Sequence, residues 1–165
     1  MTDKRQLLSQ TLGEMLSARG WTVTTAESCT GGGIAAAITM IPGSSAWFEY
    51  GLVSYANAAK QALLGVQPLT LEKYGAVSEA VVVEMVTGAL RVAEADIAVA
   101  VSGIAGPGGG SPEKPVGTIW FAWRCATGEQ LTERVCFSGD RLQIQQQAVN
   151  HALAGLVQLL QKVPV

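Results

Sequence analysis

The run Glu27-Ser28-Cys29-Thr30-Gly31-Gly32-Gly33 constrains the fold more than any other part of this chain. Upstream, Trp21 to Thr25 alternates and is rich in β-branched residues, the pattern of a strand. Downstream, Ile34 to Thr39 favours helix. Three successive glycines continue neither element, so the chain turns between them. Strand, glycine turn and helix in that order form a building unit of layered α/β domains.

The pattern recurs. Gly51 to Tyr55 reads as a strand, with Asn57 placed to cap a short helix through Leu64. Ser78 caps a long helix over Glu79 to Glu94, and Asp96 to Ser102 is a buried-strand run. Val116 to Cys125 and Gln130 to Phe137 make a hairpin across Thr127-Gly128-Glu129, and Arg141 to Gln161 is the last helix. Ahead of the first strand, Leu7, Leu8, Thr11, Leu12, Met15 and Leu16 keep the helical period, with Gly20 suited to the C-cap. The expected fold is a single layered α/β domain spanning 1–165. It has a mixed sheet, helices on both faces and an antiparallel edge hairpin.

Composition narrows the function. The 11 Lys and Arg are scattered against 13 Asp and Glu, a net charge of -2, which argues against a nucleic-acid binder. The apolar runs are too short to span a bilayer, and Met1-Thr2-Asp3-Lys4-Arg5 opens no secretory leader. Cys29, Cys125 and Cys136 make no disulfide framework, and no CxxC or Cys/His cluster offers a metal site. The expectation is a cytoplasmic protein with no membrane partner, no metal and no cofactor. The short hydrophobic edge hairpin suggests self-association, with a dimer favoured.

Four segments carry candidate chemistry. Ser28, Cys29, Thr30, Gly31 and Gly32 sit where a strand gives way to a helix, whose unpaired N–H groups suit a phosphate or a developing oxyanion. The plainer alternative is a capped βα turn. Tyr55-Ala56-Asn57-Ala58-Ala59-Lys60 puts a lysine one turn into a helix, where an ordinary solvated lysine is the plain alternative. His151, the one histidine, lies deep in the last helix, so a serine hydrolase here needs a lysine base, with Lys60 and Tyr55 as relay the available choice. Ser102, Gly103, Ala105 and Gly106 open a Gly/Pro loop where a strand of an open α/β sheet ends, the usual ligand position. Asp140 is placed to cap the last helix and Arg141 to clamp a phosphate, or else to stand solvated. Cys29 reads as a small buried cysteine rather than an activated thiolate. The tryptophans read as packing, though Trp47-Phe48 is placed to touch a ring.

Thr25-Ala26-Glu27-Ser28-Cys29-Thr30-Gly31-Gly32, Tyr55-Ala56-Asn57-Ala58-Ala59-Lys60, Gly75-Ala76-Val77-Ser78, Gly103-Ile104-Ala105-Gly106-Pro107 and Lys114-Pro115-Val116-Gly117-Thr118 together resemble the CinA C-terminal domain family. The resemblance covers nearly the whole chain. It implies hydrolysis of the carboxamide of nicotinamide mononucleotide to nicotinate mononucleotide and ammonia, in pyridine nucleotide salvage. It puts the nucleophile on Ser28, the basic lysine on Lys60 and the assisting tyrosine on Tyr55. Ser102 with Gly103 to Gly106 falls on the substrate loop, and Arg141 on a phosphate contact. Two departures stand out: family members often carry Glu at the position of Ala58 and Arg near Gln145 or Gln146. The rival readings are a weakly active nucleotide-binding paralogue, serving as a sensing or partner-docking module, and a cysteine amidase using Cys29.

Overall fold

The computed structural model describes residues 3–165; Met1 and Thr2, on which part of the N-terminal reading falls, lie outside the described residues. Helix α1 (Lys4–Arg19) leads into strand β1 (Val23–Glu27), helix α2 (Gly33–Thr39) and strand β2 (Phe48–Val53). Helices α3 (Asn57–Leu64), α4 (Pro68–Tyr74) and α5 (Glu79–Ala93) follow, then strands β3 (Ile97–Gly103), β4 (Thr118–Cys125) and β5 (Gln130–Cys136) and helix α6 (Arg141–Lys162). The sheet order is β2-β1-β3-β4-β5. β1 runs parallel to both β2 and β3, whereas β4 and β5 are antiparallel additions. This is the mixed sheet with an edge hairpin that the sequence predicts.

Both faces are covered. Val23, Val99, Val101, Phe121 and Trp123 face α1, α2 and α6, packing with Leu12, Leu16, Ile34, Ile38, Leu153 and Leu156. Ala26, Ala98, Ala100 and Ala122 face the other way, against Val82, Met85 and Val86 of α5 and Leu64 of α3. Small residues on that face let α5 lie close to the sheet. Gly88 of α5 serves the same purpose: a Cβ there would stand 1.9 Å from the Leu64 carbonyl oxygen. No helix among the described residues is long and apolar enough to cross a membrane.

Local chemistry fixes the helix ends. Gly20 closes α1 at φ 68°, Ser78 accepts the Val81 N–H to start α5, and Asp140 and Gln143 form a capping box on α6. Other expectations need correction. β1 and β2 are displaced from Trp21–Thr25 and Gly51–Tyr55, because their ends follow register with β3 and β1 rather than local propensity. Asn57 is the first residue of α3, not its cap; Ala56 holds the cap position without a side-chain bond. Helix α4, started by Pro68, is an element the sequence pattern does not predict.

Candidate active site

Three parallel strands end side by side, and the site stands on those ends. The ladder continues one residue past β1, where the Ser28 N–H donates to the Val101 carbonyl at 3.1 Å and the Ser54 N–H donates to the Glu27 carbonyl at 2.8 Å. Ser28, Ser54 and Ser102 are thereby held at one edge of the sheet, each buried. A pocket of about 280 Å³ opens there.

Lys60 is the largest fully buried side chain at the site, with 1% of its surface exposed, not a solvated residue on an open helix face. From α3 its Nζ donates to Ser28 Oγ at 3.0 Å, to the Ser54 carbonyl at 2.9 Å and to the Tyr55 carbonyl at 3.2 Å. Burial pushes its pKa below the ordinary lysine value, because the charged form is the one that loses solvation. Two carbonyls and one hydroxyl also form the right partner set for a neutral amine: two N–H groups donate to the carbonyls and the lone pair faces the serine. The structure therefore joins Ser28 and Lys60 as a nucleophile and base must be joined.

Glu27, entirely buried, occupies the start of α2. Its carboxylate accepts the Ile34 N–H at 2.9 Å, the Ala35 N–H at 3.0 Å and the Thr30 hydroxyl at 2.6 Å. The helix end expected to receive a ligand anion is thus filled by the chain's own carboxylate. Thr30, Gly31 and Gly32 accordingly do not line the pocket; Gly31 and Gly32, at φ 59° and 100°, turn the chain behind it. Cys29 does line it, yet burial pushes its thiol up to about 12, so it stays protonated. Cys29, Ala105 and Gly106 line the pocket, and their backbone N–H groups donate to no carbonyl among the described residues, which leaves them free to act as donors.

The outer wall comes from β3, its following loop and α6. Ser102, Gly103, Ala105 and Gly106 all line the pocket, joined by Gly108 and Gly109. Two anchors hold the loop: Lys114 Nζ donates to the Tyr74 carbonyl at 2.9 Å and Arg134 Nη2 to the Glu113 carbonyl at 2.6 Å. Arg141 reaches in from α6, its Nη1 donating to the Gly106 carbonyl and its Nη2 to the Tyr55 hydroxyl, both at 2.8 Å. The Tyr55 hydroxyl therefore meets Arg141, while Lys60 meets only the Tyr55 carbonyl; the expected relay is not made by hydrogen bonds in this structure.

Sequence reasoning did not place Asn57, Ala76 and Val77 at the pocket or Ser54 as a partner of Lys60, and it marked Gln145 only as a departure; its Nε2 donates to the Cys29 carbonyl at 2.9 Å. His151 is remote, pairing with Glu133 at 3.2 Å and packed among Phe121, Trp123 and Phe137. Trp47 lies away from Ser28, in a larger cleft of about 790 Å³ whose one titratable lining group is Glu14. Among the described residues no cluster of His, Cys, Asp and Glu could hold a metal.

Residues 5–160 match the family model described as the CinA C-terminal domain. The nicotinamide-nucleotide amidohydrolase PncC of Escherichia coli K12 is 60% identical over 159 residues, 96% of each chain. The Pseudomonas putida protein of the same name is 56% identical over 153 residues, 92% of this chain and 94% of its own. Among solved structures, a CinA superfamily protein from Klebsiella pneumoniae superposes with a TM-score of 0.93 at 44% identity, covering 98% of this chain and all of that one. The competence/damage inducible protein CihA of Agrobacterium tumefaciens gives 0.94 at 42% identity, covering 96% and 97%.

Proposed function

This chain belongs to the CinA C-terminal domain family, and from that premise we propose that it deamidates nicotinamide mononucleotide, releasing nicotinate mononucleotide and ammonia. The observation that carries the reading is the 3.0 Å bond between buried Lys60 and Ser28, in a pocket bordered by unspent backbone donors. The amidohydrolase names of relatives 60% and 56% identical supply the substrate class.

In the proposed reaction neutral Lys60 takes the proton of Ser28 while Oγ attacks the carboxamide carbon. The carbonyl oxygen becomes an oxyanion held by the N–H of Cys29 and those of the Ala105–Gly106 backbone, at about 2.7–4 kcal/mol of barrier lowering per donor. Protonated Lys60 then returns its proton to the departing nitrogen, which leaves as ammonia. Water attacks the acyl-serine with Lys60 again as base, giving the carboxylate and restoring Ser28. The Ser54 and Tyr55 carbonyls steer the amine throughout. At the pocket rim Arg141 receives the phosphate with the N–H groups it has not spent. In the cell this activity places the protein in cytoplasmic pyridine nucleotide salvage, as one self-associating domain.

The test is direct. Purified protein given nicotinamide mononucleotide releases ammonia in stoichiometric amount with nicotinate mononucleotide, whereas Ser28→Ala releases none. Binding of the nucleotide without ammonia release by the wild type sinks the reading in favour of a nucleotide-binding module.

A further inference from the structure

Tyr55 faces two ways. Its carbonyl accepts from Lys60 Nζ at 3.2 Å and from Ser28 Oγ at 3.4 Å, on the buried side. The residue is 58% exposed, and the hydroxyl at the far end of its ring accepts from Arg141 Nη2 at 2.8 Å. Arg141 is the first residue of α6 and exposed, so without restraint its side chain would sample many rotamers. Two bonds end that freedom: the Tyr55 hydroxyl on one nitrogen and the Gly106 carbonyl on the other. Three of the five guanidinium N–H groups remain for an incoming anion. The tyrosine hydroxyl, used as an acceptor, also keeps its own proton to donate.

The same bonds argue against proton transfer through this ring. A relay needs a hydrogen bond to the base, or to one water beside it. The three partners of Lys60 Nζ are Ser28 Oγ and the Ser54 and Tyr55 carbonyls, and the Tyr55 hydroxyl is tied to Arg141 instead.

We infer that Tyr55 is a specificity-determining residue for the substrate's phosphate, acting by holding Arg141, and is not the proton relay to Lys60. The inference rests on the amidase reading for the identity of the molecule that carries the phosphate. One residue then spans the site: its main chain steers the base, and its side chain seats the arginine.

Tyr55→Phe removes one oxygen from an exposed ring, and a melting curve matching wild type confirms an intact fold. Ribose 5-phosphate, which has the phosphate but no carboxamide, is titrated into wild type, Tyr55→Phe, Arg141→Ala and the double variant. The Kd rises about tenfold in Tyr55→Phe, and the double variant is no weaker than Arg141→Ala alone, as expected for two residues acting as one contact. With nicotinamide mononucleotide the loss in Tyr55→Phe falls on KM rather than kcat. A tenfold loss of kcat with KM and Kd unchanged overturns the proposal in favour of the relay. Losses that multiply in the double variant, or failure of ribose 5-phosphate to bind wild type, overturn it as well. Intact binding with no ammonia release by wild type defeats the amidase reading alone.

Discussion

The Nζ of Lys60 stands 3.0 Å from Ser28 Oγ, across 32 residues of chain. Neither residue is unusual by itself. Their meeting depends on β2 pairing with β1 in parallel, so that α3 begins beside the end of β1 and its first turn brings Lys60 to Ser28.

Ser28→Ala abolishes deamidation, and Cys29→Ala keeps most of it, because the Cys29 thiol is held protonated by burial. Steady-state ammonia release from both variants decides the point. Turnover surviving in Ser28→Ala and lost in Cys29→Ala would mean that sulfur is the nucleophile.

Lys60→Arg is nearly inactive although it keeps the charge, since guanidinium does not deprotonate in this range. In wild type, kcat/KM climbs with pH up to the lowered pKa of Lys60 and levels off below the ordinary lysine value of 10.5. The same shift marks stability. Between the lowered folded pKa and 10.5 the unfolded chain binds the extra proton, so wild-type stability rises with pH relative to Lys60→Met. Denaturant titrations of both proteins across that window measure the slope; a flat difference means Lys60 titrates normally.

Glu27→Gln destabilises the protein by about 1–3 kcal/mol, because Ile34 and Ala35 donate to different carboxylate oxygens and the glutamine amide nitrogen must face one of those N–H groups with a donor. At roughly 2–4 °C per kcal/mol the Tm falls measurably. A variant as stable as wild type would show that the carboxylate charge contributes nothing to the turn.

Thiol labelling of the native protein separates the cysteines. Cys136 is exposed and reacts first, while Cys29 and Cys125 are buried, their thiols pushed up to about 12 and about 11. Mass spectrometry after a short pulse of iodoacetamide at neutral pH finds one carbamidomethyl group, on Cys136. Early modification of Cys29 contradicts its buried placement.

What could be read in advance was whatever is encoded locally. Ser78, Asp140 and Gly20 act within one helical turn of themselves, and each was legible at the expected helix end. The alternation of apolar runs carried the order of the elements apart from α4. Lys60 was legible as a candidate base but not as a buried one, because its solvation depends on Ser54 and Tyr55 arriving from β2. Glu27 carried a faint signal: a carboxylate inside an otherwise uncharged strand run, a few residues ahead of a helix. Gln145 stood out as a departure from the family's usual arginine, but its bond to Cys29, 116 residues away, was not legible. The direction of the Tyr55 ring was equally hidden, being set by an arginine 86 residues away.

The Glu27 carboxylate, carried by β1 and seated at the start of α2, has a consequence for how a ligand enters. With Glu27 filling the helix start, the Ile34 and Ala35 N–H groups are taken and α2 offers an arriving anion no vacant N-terminus, whereas the rim offers Arg141. A molecule with one charged end and one neutral amide end therefore meets a polarised slot. Docked amide-first, its anion stays with the guanidinium. Docked phosphate-first, that anion approaches the Glu27 carboxylate and leaves the guanidinium with neutral partners alone, the Gly106 carbonyl and the Tyr55 hydroxyl. Orientation is thus decided by charge placement before any contact to the reacting carbon is made.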